Sequence, residues 1–139
     1  MAAVFMAVAG FAAAQLLERS NYQLIETPKG GQERVTLSDG SQLELNTNTA
    51  VKVSLRGDRR YVELTRGEAY FEVRHDVARP FVVAVGNRRI IDLGTKFVVR
   101  MAPSELKVSL LEGKARFESS ETINPQKPVV LSPGDVVVA

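Results

Sequence analysis

Few residues in this 139-residue sequence could do chemistry, and none falls into a working constellation. His75 is the single histidine, so a serine nucleophile would have to use it, and no G-x-S-x-G elbow accompanies it. The chain has no cysteine, which removes disulfides, thiolate zinc sites and cysteine nucleophiles together. Glu63, Glu68 and Glu72 could supply an acid/base pair of the glycosidase kind, since Glu68 and Glu72 share a strand parity with Tyr70 between them. The simpler reading makes them the exposed face of a strand whose other face is Ala69, Phe71 and Val73. His75-Asp76 invites an acid–base or pH-sensing role, but its place between a strand and Arg79-Pro80 suits a turn residue hydrogen-bonded to Asp76. Gly30-Gly31 and Gly94-Thr95 carry no phosphate-loop pattern. The carboxylates do not cluster at metal-ligand spacing. The residues name no catalytic group, no metal and no cofactor.

Charge points to protein surface rather than nucleic acid. Lys and Arg number 18 against 16 Asp and Glu. Residues 52–100 hold eleven basic and six acidic side chains, so a basic face there is conceivable. Only Tyr61 and Tyr70 interleave, too few for a base-stacking platform. Arg56, Arg59, Arg60, Arg66, Arg88 and Arg89 read as solvated strand ends, with Arg59, Arg60, Tyr61 and Tyr70 as the candidate partner-binding residues.

The elements that must position these groups repeat. Val62 to Val73, VELTRGEAYFEV, returns forty-six positions later as Val108 to Ser119, VSLLEGKARFES. The alignment pairs Val62 with Val108, Leu64 with Leu110, Gly67 with Gly113, Ala69 with Ala115 and Phe71 with Phe117. It continues, two residues further apart, from Arg79-Pro80 and Gly86-Asn87 to Lys127-Pro128 and Gly134-Asp135. Within each copy the inward parity changes at Gly67 or Gly113, where a glycine can adopt the positive φ of a bend or bulge. Phe71 and Phe117 are then equivalent inward residues. Asp39-Gly40 reads as a two-residue hairpin turn, and Gly86-Asn87 sits similarly between two strand-like runs. Pro80 and Pro128 belong at strand starts or edges. Short strands separated by turns imply an all-β domain, a two-layer β-sandwich or β-roll built from two similar units.

Met1 to Leu17 has no charged side chain and covers roughly 25 Å as a helix, short of a hydrocarbon core of about 30 Å. Part of a transmembrane helix, a signal-peptide apolar region and a buried helix all remain open. A polar linker, residues 18–25, follows.

From Glu26 to Asp135 the sequence closely resembles the FecR-type periplasmic domain of bacterial sigma-factor regulators. The resemblance runs through Val35-Thr36-Leu37-Ser38-Asp39-Gly40-Ser41, Leu43-Glu44-Leu45-Asn46 and Arg66-Gly67-Glu68-Ala69-Tyr70-Phe71-Glu72-Val73-Arg74-His75-Asp76. It continues in Arg79-Pro80-Phe81-Val82-Val83, Leu93-Gly94-Thr95-Lys96-Phe97-Val98-Val99 and Leu111-Glu112-Gly113-Lys114-Ala115. It implies a single-pass inner-membrane protein with residues 1–17 as the membrane helix and residues 26–139 as a periplasmic β domain. It further implies a signal from the signalling domain of a TonB-dependent outer-membrane transducer, and a sigma factor reached only through a cytoplasmic segment absent from this chain. No enzyme activity and no nucleic acid enter this expectation. A cell-envelope scaffold or carbohydrate-binding module is the alternative.

Overall fold

The computed structural model describes residues 22–92, 94–121 and 126–139, which form twelve strands in two layers. Alternation of buried and exposed residues builds each strand, because successive side chains point to opposite faces. Sheet A holds, in order, β1 (Gln23–Glu26), β4 (Ala50–Arg56), the first half of β5 (Arg59–Glu72), β6 (Phe81–Val85), β7 (Arg88–Asp92), β10 (Ala115–Ser119) and β11 (Val129–Leu131). Sheet B holds β2 (Glu33–Thr36), β3 (Gln42–Leu45), the second half of β5, β8 (Lys96–Ala102), β9 (Glu105–Glu112) and β12 (Val136–Val138). Every pairing is antiparallel except β5 with β6.

The long strand β5 belongs to both layers. Arg60, Val62 and Leu64 are buried on its first half, Ala69 and Phe71 on its second, and the parity changes at Gly67. Gly67 has φ +86°, and a Cβ there would stand 2.7 Å from the Asn48 carbonyl oxygen and from Thr49 Cα. Only glycine lets the strand lean on that backbone while it crosses. Gly113, at φ +88°, does the same between β9 in sheet B and β10 in sheet A, against the Gly94 carbonyl oxygen and Thr95. Asn48 and Gly94, the residues before those threonines, both have positive φ, 49° and 140°.

The repeat is therefore real, and it reaches further upstream than the sequence comparison placed it. Val51↔Leu64 through Arg56↔Arg59 recurs forty-six residues on as Phe97↔Leu110 through Ala102↔Glu105, each with a register shift one step before. Gln23↔Val53 and Glu26↔Ala50 recur as Ala69↔Val99 and Glu72↔Lys96. β1 is thus the counterpart of the second half of β5, and residues 23–25, assigned to the linker from sequence, are strand. Downstream the equivalence fails. Gly86-Asn87 closes a β6–β7 hairpin, whereas β11 pairs with β10 in sheet A and β12 with β9 in sheet B. Pro80 and Pro128 do both immediately precede strands.

One apolar core lies between the layers. At its centre Phe71 is fully buried, stacked on Phe97 at 4.9 Å and edge-on to Phe81 at 6.4 Å. Phe117 is also buried, with the Arg88 guanidinium 5.8 Å from its ring. The apolar segment 1–17 lies outside the described residues, and no helix among the described residues is long and apolar enough to cross a membrane.

Candidate functional site

Loops that are far apart in sequence meet at one end of the sandwich, and Arg60 ties two of them, residues 37–41 and 73–80, together. Its side chain is 1% exposed. Nε donates to the Arg79 carbonyl at 2.7 Å, and Nη1 donates to the Arg74 carbonyl at 2.8 Å and to Asp39 Oδ2 at 3.1 Å. The guanidinium also lies 5.5 Å from the Phe81 ring centre. A buried cation this fully bonded is a structural clasp, so Arg60 is neither a solvated strand end nor a surface contact. The reason is its parity with Val62 and Leu64. In the second unit its place is taken by buried Leu106, since Leu55↔Arg60 recurs as Met101↔Leu106.

Asp39 is the counter-ion, with a side chain 4% exposed. Its Oδ1 accepts the Ser41 N–H at 3.0 Å and its Oδ2 the Ser41 hydroxyl at 2.8 Å. Burial is the largest influence and pushes the Asp39 carboxyl up, but the two Ser41 bonds and Arg60 together outweigh it and hold the group below the ordinary carboxylate range. The same bonds change the turn read from sequence. Asp39 does not take positive φ, so the connection is not type I′. Strands β2 and β3 are joined by residues 37–41, with the Gly40 N–H donating to the Leu37 carbonyl at 3.0 Å and the Leu37 N–H to Ser41 at 2.8 Å. Gly40 carries φ +87°.

Residues 73–80 wrap this clasp. The Arg74 N–H donates to Ser41 Oγ at 3.0 Å, and Val73 N–H donates to the Thr95 carbonyl at 2.9 Å. Asp76 accepts from the Ala78 N–H at 3.1 Å and from Arg79 Nε at 2.8 Å, so its carboxylate serves those groups rather than His75. Gly94 packs so closely on His75 that a Cβ would meet its Cβ at 2.8 Å. Thr95 Oγ1 bonds to the Asp92 carboxylate, and the Gly94 N–H donates to Asp92 at 2.7 Å. The outer surface of this end presents His75, Val77 and Ala78, with Val77 68% exposed.

The remaining candidate residues are not gathered into one place. Arg59 begins β5 beside the Gly57-Asp58 turn at the clasped end, its guanidinium 4.6 Å from the Tyr61 ring centre. Burial raises the Tyr61 phenol above its ordinary range, and the Glu63 carboxylate adds to this. Tyr70 lies on the outer face of sheet B, in a depression of about 330 Å³ lined also by Gln32, Glu44, Asn46 and Glu68. Tyr61 and Tyr70 therefore sit on opposite layers. Glu68 accepts from Asn46 Nδ2 at 3.0 Å while Glu72 lies 3.9 Å from Lys96, so the two carboxylates have separate partners. Among the described residues no group of His, Asp or Glu could hold a metal ion.

This geometry defines a class: a two-layer, internally repeated β domain whose motif segments converge on one locked end. The chain belongs to the FecR protein family, which matches residues 23–116. Two crystal structures of a candidate anti-sigma factor from Parabacteroides distasonis, at 2.50 Å and 1.65 Å resolution, resemble it with TM-scores of 0.76 and 0.75. Both are 28% identical over 84% of this chain, which spans 54% of theirs. Comparison with curated proteins gives no match.

Proposed function

We propose that this chain is the sensing and relay module of an extracytoplasmic-function sigma-factor regulator. In this reading residues 1–17 anchor it in the inner membrane as a single pass, and the β domain faces the periplasm. There it receives the signalling domain of a TonB-dependent outer-membrane transducer by protein–protein contact. The sigma factor is reached on the cytoplasmic side of that membrane. Family membership and the likeness to a candidate anti-sigma factor support the regulatory role. The observation that carries the contact site is the convergence of the family's motif segments around Arg60, which fixes the main chain of residues 74–79 while leaving His75 and Val77 exposed. A rigid, pre-ordered loop loses little entropy on binding. Arg59 and Tyr61, adjoining that end, extend the proposed surface, whereas Tyr70 lies away from it.

Mixing residues 22–139 with the cognate transducer's signalling domain tests this reading. Binding weakened at least about tenfold by Val77→Asp supports it. No association up to about 1 mM, near −4 kcal/mol, rejects direct reception. The carbohydrate-binding alternative has one observation in its favour, the polar-lined depression beside Tyr70. Retention on isolated peptidoglycan that Tyr70→Ala abolishes, without transducer binding, would select it.

A further inference from the structure

Exposed apolar side chains concentrate on one flank. Of seven large ones among the described residues, Leu111, Val129, Val130, Val136 and Val138 belong to β9, β11 and β12. β11 and β12 are the edges of the two sheets on this side, while the opposite edge strand β2 carries Glu33, Arg34 and Thr36. Charged edges discourage strand addition, and an apolar edge invites it.

The phase of the β12 hydrogen bonds says what could be added. Leu106 and Ala139 exchange two bonds of 2.8 Å, so Val137 opposite Val108 is the next hydrogen-bonded pair of this ladder. Val136 and Val138 alternate with these, and their N–H and C=O groups point away from β9, toward a side where no described strand lies. In sheet A the counterpart position does not stay open: β6 runs beside β5 and is covered in turn by antiparallel β7.

We propose that a second copy of this chain covers β12, strand to strand, about a two-fold axis at Val137. An antiparallel pairing of Val136 with Val138 of the second copy meets every requirement of the edge. Both residues present their main-chain groups outward, so each pair forms two hydrogen bonds, four in all. Their side chains emerge on one face, giving two cross-strand Val–Val pairs of the kind that stabilises sheets. On the outer face the resulting rows run Lys107, Val138, Val136 of the second copy and its Ser109, apolar at the centre with no like charges adjacent. The run Val136-Val137-Val138 places valine at both residues of each pair, so the same apolar contact is made twice across the axis. Three residues bury little area, so the contact is weak between free molecules and is favoured where copies are concentrated together. This inference does not rest on the transducer reading.

The chain's lack of cysteine gives a clean test on the full protein in detergent or in membranes, with single variants Val136→Cys and Val138→Cys. In this register the thiol of the first variant faces that of the second across the two-fold axis, at a Cα separation of about 5.5 Å, inside the disulfide range of about 4.4 to 6.8 Å. Two copies of the same variant hold their substituted positions about 9 Å apart, outside that range. Oxidation of a mixture of Val136→Cys and Val138→Cys proteins with diamide should then yield at least about fivefold more disulfide-linked dimer than either variant alone. A Glu33→Cys protein on the opposite flank, mixed with Val138→Cys, should give no more than the single variants. Equal dimer in every mixture, or none in the first, overturns the proposal. The first outcome would mean random collision, and the second would mean an edge left open or taken by another polypeptide.

Discussion

Replacing Arg60 with leucine puts a side chain of the second unit's choice into the first, because Leu106 occupies the same register position. The substitution leaves the Asp39 carboxylate buried and strips donors from the carbonyls of Arg74 and Arg79. Breaking one partner of a buried ion pair costs about 3–5 kcal/mol. The two Ser41 bonds that Asp39 keeps place the expected loss toward the lower end, about 3 kcal/mol. With a urea slope of about 2 kcal/mol/M, the unfolding midpoint should fall by roughly 1.5 M. Removing Asp39 as well, in Arg60→Leu with Asp39→Ala, should recover about half of that loss, since no uncompensated charge is then buried. A midpoint within about 0.25 M of the unaltered protein, about 0.5 kcal/mol at unchanged slope, would refute the clasp.

Gly67→Ala and Gly113→Ala should each cost at least about 2 kcal/mol, since both glycines combine positive φ with a backbone that a Cβ would strike. Gly86→Ala, at φ +56° with open space around it, should cost about 1 kcal/mol in the same urea titration. Phe71→Ala should lose about 3–5 kcal/mol through the cavity left between Phe81 and Phe97. Asp39 has a folded-state pKa below its unfolded value of about 3.9, so its contribution is complete above about pH 4 and is lost as pH falls through the lower folded value. Thermal unfolding followed from pH 6 downward should therefore show a shallower acid limb in Asp39→Asn.

Much of the scaffold was legible because glycine and alternation report backbone geometry directly. The parity change at Gly67 and Gly113 is written in Val62, Leu64, Ala69 and Phe71 and their counterparts, and the strands obey it. Arg60 reads as a solvated strand end although the signal for its burial is present. It stands two residues before inward Val62 and aligns with Leu106, but a charged side chain is ordinarily assigned to solvent. Asp39-Gly40 misleads in a related way, because the Asp–Gly preference of type I′ turns does not reveal that this aspartate has a buried arginine to meet. β1 is hard to see because Gln23, Leu24 and Glu26 are exposed and only Ile25 is buried. The Pro-to-Gly landmarks near Pro128 keep their order without keeping their partners, since pairing depends on which edge is open and not on local residues alone.

The loop end is the least visible feature, because its members come from residues 37–41, 57–59 and 73–80 together with Asp92, Gly94 and Thr95, and only tertiary contacts unite them. Its proposed role is tested most directly by titrating ¹⁵N-labelled residues 22–139 with the signalling domain of the cognate transducer and following amide shifts. The account predicts saturable changes centred on Arg59, Tyr61, His75 and Val77, with little at Tyr70. Saturable binding whose changes centre on the Tyr70 face, leaving residues 73–80 unmoved, would contradict it.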